Sequence, residues 1–333
     1  YMDMARARNE KKKVFLIAES DLNDVRVLRK RDEGGFGLDA QWCDDFHHSL
    51  HTILTGEQHG YYRDFGRIEH LATSLREGYV YSGQYSSYRR HNHGNSSAAC
   101  PAEQFVVFSQ NHDQVGNRML GERLASLAPF EALKLAAAVV MLSPYVPLLF
   151  MGEEYGEESP FLYFVSHADP DLIAAVRDGR QREFHAFSWQ GEPPDSQHRD
   201  TFLRSTLNWE KRGEGSHKVI LTFYRRLITL RKNIPALAHL SKKYCEISGR
   251  EAERIIIMRR WHEQSEAVCL FNFNDRHSRC RVTVAGKKWK KVLDSSDATW
   301  GGPGAVAPAV VAGSDEVPVQ SLSAVLYEKE RTA

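Results

Sequence analysis

Short apolar, β-forming runs alternate with longer segments of helical period up to about residue 243, the pattern of a βα architecture rather than of an all-β or all-α chain. Residues 14–18 (VFLIA) make the first such run, which stops at Glu19 and turns polar through Ser-Asp-Leu-Asn-Asp24. A buried parallel strand that ends on an acid carries that acid to the mouth of a barrel. Residues 105–109 (FVVFS) lead into Gln-Asn-His-Asp113 in the same way, and the strand-like run from Pro147 ends in Glu153 and Glu154. Strand ends from distant parts of the chain thus carry carboxylates that are expected to meet at one face.

Between these runs, Gly34-Gly-Phe-Gly37 punctuates the chain, and Asp44-Asp-Phe-His-His-Ser-Leu-His51 predicts a helix with Asp44 or Asp45 as its N-cap. Residues 78–94 (GYVYSGQYSSYRRHNHG) have no period and predict a long irregular loop. In a βα barrel such loops lie over the site, and tyrosine offers a sugar both an apolar face and a hydroxyl, so Tyr62, Tyr88 and Arg89 are candidate wall residues. A helix is predicted over 130–142, and a last one over 221–232 with Pro235 just beyond. The apolar stretch 133–151 is broken by Lys134, Pro144 and Pro147, which argues against a membrane span. From Tyr244 the pattern changes to short alternating strands over 254–261, 267–273, 279–284, 289–293 and 324–328, separated by turns such as Gly301-Gly-Pro-Gly304. That tail predicts a small all-β sandwich. The expected organisation is a partial barrel over 1–243 and a sandwich over 244–333.

Composition changes this picture little. Of 333 residues, 42% are hydrophobic and 26% charged, and 44 Lys and Arg nearly cancel 43 Asp and Glu. The basic runs, 11–13 and 287–291, are short or interrupted, so no electrostatic footprint for nucleic acid or a membrane surface is present. Five scattered cysteines without a Cys-x-x-Cys pair argue against a disulfide framework or structural zinc, and suggest reduced thiols in a cytoplasmic protein. Residues 1–13 are polar and basic and do not resemble a signal peptide.

Paired carboxylates are what glycoside hydrolysis requires: one protonates the leaving oxygen while others attack or stabilise the forming oxocarbenium ion. Glu19 suits the acid. Asp113, set among Asn111, His112, Gln114 and Asn117, suits a partner that grips ring hydroxyls. His47, His48 and His51 share a helix face at metal-ligand spacing but lack a Cys or an acidic third ligand, so a polar helix face is the simpler expectation. There is no phosphate loop and no serine nucleophile elbow.

The runs IAESDLND, GFGLDAQWCDDFHHSLH, TGEQHGYYRDFG, SQNHDQVGNR, LLFMGEEYGE and VLDSSDATWGGPG resemble the maltooligosyltrehalose trehalohydrolases of the α-amylase superfamily. The resemblance implies the C-terminal half of a (β/α)8 TIM barrel followed by the sandwich. It implies Glu19 as general acid/base and Asp113 as transition-state stabiliser, with His112, Gln114, Val115, Gly116 and Asn117 lining the sugar and Asp44, Asp45, His47 and His48 as further substrate contacts. The implied reaction is hydrolysis of the α-1,4 bond next to a terminal trehalose of a maltooligosaccharide by a retaining mechanism. It needs no cofactor and no metal, and the pathway partner would be the synthase that makes the trehalosyl end.

One part of the pattern is missing. In that superfamily the nucleophilic Asp lies in a Gly-x-Arg-x-Asp-Ala strand ahead of the Glu strand, and residues 1–13 do not resemble it. Gly35-Phe-Gly-Leu-Asp39-Ala40 imitates the motif, but it follows Glu19 and has Gly37 where the arginine belongs, so Asp39 is expected to be structural. The expectation is therefore an N-terminally truncated chain without hydrolase activity of its own. Two other possibilities stay open: another α-glucan-active enzyme such as a branching enzyme or amylase, and a non-catalytic α-glucan-binding fragment.

Overall fold

The computed structural model describes residues 13–186, 193–283 and 288–330, with only the backbone of residues 183–186. Residues 1–12, Lys287 of the second basic run and Val284 of a predicted strand lie outside the described residues.

Four short parallel strands form the first sheet: β1 (Ile17–Ala18) and β2 (Ala40–Trp42), then, after a small antiparallel hairpin of β3 (Tyr85–Ser86) and β4 (His91–Asn92), β5 (Phe105–Val107) and β6 (Val146–Pro147). The order is β1-β2-β5-β6, with Ile17 beside Ala40, Gln41 beside Phe105 and Val106 beside Val146. The strands are shorter than the apolar runs suggest. The run 14–18 pairs only at its end, because its outer residues have no neighbouring strand, and Phe15 and Ile17 stand exposed.

Helices α1 (Asp44–Thr55), α2 (Ile68–Glu77), α3 (His112–Gly116), α4 (Leu124–Leu127), α5 (Phe130–Leu142), α6 (Pro170–Ala186), α7 (Arg199–Arg204), α8 (Gly215–Asn233) and α9 (Pro235–Ala238) accompany the sheet. α5 has the predicted bounds. Ten of its residues are buried, including Lys134, whose ammonium donates to the Ser295 and Trp300 carbonyls at 2.8 and 2.9 Å and pairs with Glu131 at 2.8 Å. A charge inside an apolar helix is tolerated here because two carbonyls and a carboxylate receive the ammonium, which also lies 5.0 Å from the centroid of the Phe130 ring.

The tail is a six-stranded antiparallel sheet ordered β12-β11-β14-β9-β8-β7, faced by the ribbon of β10 (Ser278–Thr283) and β13 (Ser314–Val319). Its members are β7 (Cys245–Arg250), β8 (Ile255–His262), β9 (Ser265–Asn272), β11 (Trp289–Asp294), β12 (Val310–Val311) and β14 (Ser323–Lys329). Sequence pattern alone misses β7, β12 and β13, which are half exposed and carry Gly249 and Pro318. The central strands look continuously apolar because both faces are covered. In β9, Ala267, Cys269 and Phe271 join the core beneath α5, α8 and α9, while Val268 and Leu270 join the one under the ribbon.

The two parts share contacts as well as a core. Gly249 of β7 lets α2 approach, since a Cβ there would lie 2.8 Å from Glu69 Oε2 and 3.0 Å from the Ala72 methyl. Glu251, beyond β7, accepts from the Ile68 and Glu69 amides at 3.1 Å and so caps a helix whose own N-cap, Arg67, makes no side-chain cap. No helix among the described residues is long and apolar enough to cross a membrane.

Candidate active site

The C-terminal ends of β1, β2 and β5 open onto a cleft of about 300 Å³ lined by Glu19, Ser20, Asp21, Asp44, His48, Tyr61, Tyr88, Arg89, Asp113 and Gln114. Glu19 stands just past β1 and is half exposed, with its Oε1 3.2 Å from His112 Nε2. His112 in turn meets the edge of Trp42 at 5.6 Å between ring centroids.

Asp113 sits in the first turn of α3. Asn111 caps that turn by accepting from the Asp113 and Gln114 amides, so the carboxylate itself is left to face the cleft. Asn117 donates to Asp113 Oδ1 at 2.7 Å, and Gln114 Nε2 donates to Asp44 Oδ1 at 3.3 Å. Burial and then the charge of Glu19 push the Asp113 carboxyl above its ordinary range. Burial, followed by the charges of Asp113 and Asp21, pushes Asp44 up to about 7. Near neutral pH Asp44 can therefore offer a hydroxyl either a donor or an acceptor.

Asp21 moves the other way. Burial pushes it up, but the Arg89 guanidinium, 2.7 Å away, outweighs burial and holds it below the usual range. Arg89 is the one cation among the lining residues.

The structure separates the remaining candidates from the cleft. Asp45 does not cap α1, nor does Asp44, since Cys43 occupies the N-cap position. The Asp45 carboxylate is buried and accepts from the Val80 and Tyr81 amides at 2.8 and 2.9 Å and from Asn23 Nδ2 at 2.8 Å, which holds the 78–94 loop down. That loop is not wholly irregular, as β3 and β4 pair within it, and Asp64 holds its turn through the Ser86 hydroxyl and the Tyr88 amide. His47 donates from Nδ1 to the Ser109 carbonyl at 2.7 Å, and its Nε2 accepts from the Tyr62 hydroxyl at 3.0 Å. Tyr62, expected as a wall residue, is only 3% exposed and stacks on His51, which puts it behind the wall. Its neighbour Tyr61 lines the cleft and stacks on His48 at 4.6 Å. Val115 and Gly116 are buried residues of α3 itself. Glu153, expected at a strand end, lies in a 3-10 turn and points inward to Ser109, Tyr224 and the Phe150 amide. Asp39 accepts from the Leu16 amide at 2.7 Å and ties the β1 segment to the next loop.

Ser20, Asp21 and Tyr61 are the lining residues that sequence reasoning passed over. Each sits in a motif already singled out, Ser20 and Asp21 just after Glu19 and Tyr61 beside Tyr62.

Among the described residues no group of three His, Cys, Asp or Glu side chains is disposed to hold a metal ion. The histidine face of α1 is engaged by Ser109, Tyr62, Tyr61 and Glu57. Burial first, and then charge on neighbouring histidines, pushes His47 and His48 down, His48 to about 3; burial also lowers His51 despite Glu57. An unfolded histidine takes up a proton as pH falls through about 6.5. These three resist it when folded, so folding stability is full above that pH and is lost as pH falls toward 3. Glu57, lowered to about 2 by His51 and Arg118 against the push of burial, adds a loss in the same direction below about 4.5. The urea midpoint is expected to fall steadily from pH 7 to pH 4, with up to about 1.4 kcal/mol per pH unit from each histidine. A midpoint that stays level over that range would contradict the buried neutral cluster.

A family model described as the alpha amylase C-terminal all-beta domain matches residues 243–330. The malto-oligosyltrehalose trehalohydrolase of Saccharolobus solfataricus is 50% identical over 218 residues, which is 66% of this chain and 37% of that protein. The one from Rhizobium sp. is 49% identical over 229 residues, 68% of this chain and 38% of the relative. Among solved structures, a Salmonella typhimurium protein described as an alpha amylase superposes with a TM-score of 0.80 at 32% identity, covering 98% of this chain and 54% of that one. The α-amylase of Geobacillus thermoleovorans shares the fold at a TM-score of 0.56 and 13% identity, covering 99% and 57%. The chain spans less than half the length of these curated relatives. With that extent stated, the chain belongs to the malto-oligosyltrehalose trehalohydrolase family of the α-amylase superfamily.

Proposed function

We propose that this chain carries the acid/base and stabilising half of a retaining glycosidase site that cleaves the α-1,4 bond next to the terminal trehalose of a maltooligosaccharide. Glu19 is the general acid/base and Asp113 the stabiliser of the oxocarbenium ion. Residues 1–243 form the catalytic part and 244–333 its supporting sandwich. The observation that carries this reading is the convergence of Glu19 and Asp113, from distant sequence, on one cleft that also holds Asp44, His48, Tyr88, Arg89 and Gln114. The electrostatics favour it too. Asp44 and Asp113, raised by burial and then by neighbouring carboxylate charge, are relieved when a positive sugar ring forms beside them, so the interaction strengthens in the transition state.

The attacking carboxylate is a separate matter. Asp44, bonded to Gln114, and Asp21, paired with Arg89, both lie outside any Gly-x-Arg-x-Asp-Ala strand, so this reading assigns neither as the nucleophile. Malto-oligosyltrehalose and plain maltooligosaccharide, each given to residues 1–333 alone and to a fusion that supplies the N-terminal half of the barrel, with its Gly-x-Arg-x-Asp-Ala strand, ahead of Val14, test the reading by their products. Trehalose from the fusion and none from residues 1–333 is expected. Short maltooligosaccharides from the plain substrate would indicate an amylase, new branch points a branching enzyme, and binding without turnover in both proteins a glucan-binding role. The synthase that makes the trehalosyl end is the pathway partner this reading calls for.

A further inference from the structure

We propose that Arg180 is a positioning residue for Asp113, acting through the side-chain amide of Asn117; this rests on Asp113 being the stabiliser. Arg180 lies on α6, well apart in sequence from the cleft motifs. Its Nη1 donates to Asn117 Oδ1 at 2.8 Å and its Nη2 to the Gly116 carbonyl at 3.1 Å. The guanidinium carbon lies 4.7 Å from the centroid of the Tyr163 ring. Two acceptors and a stacked ring from different segments set the plane of the fork.

The consequence is for the amide. An asparagine side chain presents oxygen on one side and NH2 on the other, and exchanging them costs little when neither is held. Arginine has donors only, so it can engage only Oδ1. With that oxygen turned toward Arg180, Nδ2 must face the opposite way, where it donates to Asp113 Oδ1 at 2.7 Å. Asn117 is exposed and Asp113, though partly desolvated, is still reached by solvent, so without the arginine water would compete for either orientation. The contact to Gly116 adds to this, because it puts a cation on a carbonyl of the last residue of α3, the turn that carries Asp113. Glu19, Asp21 and Asp44 face Asp113 with like charge and His112 opposes them. A donor held on Oδ1 keeps the carboxylate ionised and aimed against that repulsion.

The test is a carbon-13 carboxyl NMR titration of Asp113 in residues 1–333, with its resonance assigned by D113N. R180A and N117A are each expected to raise its midpoint by about half a pH unit, the scale of one exposed hydrogen bond. The double variant should shift no further than N117A alone, because the arginine acts through the amide. An unchanged midpoint in R180A would overturn the proposal. So would an R180A shift that persists in full on the N117A background, which would mean that the charge acts directly through space. If R180A loses its far-UV circular dichroism, Arg180→Gln, which keeps most of the bulk, takes its place in the same cycle. The readout does not depend on turnover. A failure of the functional reading would show separately, as trehalose release by the fusion that survives D113N.

Discussion

Replacing Glu19 by glutamine is expected to lower trehalose release from the fusion by about 10³-fold while oligosaccharide binding changes little. Glutamine keeps the shape of the side chain and can still meet His112, which lies 3.2 Å from the carboxylate. What it cannot do is give a proton to the leaving oxygen or take one from water. The loss should therefore fall on kcat and leave KM nearly as it was.

The leaving group makes the test specific. An α-glucoside of an acidic phenol needs no proton to depart, so its first step should survive Glu19→Gln almost intact, while the natural α-1,4 bond should not break. An equal loss on both substrates would show that Glu19 holds the site together rather than serving as its acid. The openness of the cleft matters here. Glu19 is 55% exposed in the unliganded chain, so substrate itself must cover the carboxylate before a low dielectric can help proton transfer.

Arg260→Ala is expected to destabilise the protein by about 3–5 kcal/mol, read as a fall in the urea midpoint. Arg260 lies on β8 and is 1% exposed. Its Nη1 donates to the Leu142 and Ser143 carbonyls at 2.7 and 2.8 Å, and its Nη2 to Leu237 and His239 at 3.1 and 2.8 Å. Arg231 of α8 joins it, donating to Met141 at 2.6 Å, to Ser143 at 2.9 Å and to Tyr145. Between them the two guanidinium groups satisfy the carbonyls at the C-terminal end of α5, which no later residue of that helix can reach.

Alanine at 260 takes the guanidinium donor from the Leu142, Leu237 and His239 carbonyls, leaves Ser143 only Arg231, and opens a cavity where the sandwich meets the helices. The two cations also oppose each other. Burial, and then the charge of Arg260, bring Arg231 down to about 9. The cost of Arg260→Ala should thus be offset a little by relief of Arg231, and a double variant with Arg231→Ala should cost more than the sum of the two singles, because each single already includes that relief and leaves Ser143 one donor. A loss under about 1 kcal/mol would mean that water replaces the guanidinium without penalty.

Elements whose residues are covered on all sides were legible, because a continuous apolar run reports burial directly. α5 matches its prediction, and β8, β9, β11 and β14 fall within a residue or two of theirs. Edge and half-exposed elements were not. β7 and β13 carry alternating polar residues that resemble turn sequence, and β1 pairs over two residues because only one neighbour lies beside it. The cleft was legible where an acid follows a strand, as at Glu19 and Asp113. It was misleading at Glu153, where the chain turns after the strand and directs an equally placed acid into the core. Nothing in the spacing of α1 separates Asp44 from Asp45. A helix turns about 100° per residue, so two adjacent carboxylates go to different places, one to Gln114 in the cleft and the other to the backbone of Val80 and Tyr81.

Residue order was sufficient for the alternation of βα units, the β tail, the acids at the ends of β1 and β5, and the family motifs, because each is local or repeats with a fixed period. Which acids share a cleft, which tyrosine of the pair faces it, how Arg89 neutralises Asp21 and how Arg180 reaches Asn117 depend on contacts between segments far apart in the chain. Those distances follow from packing, and no local pattern encodes them.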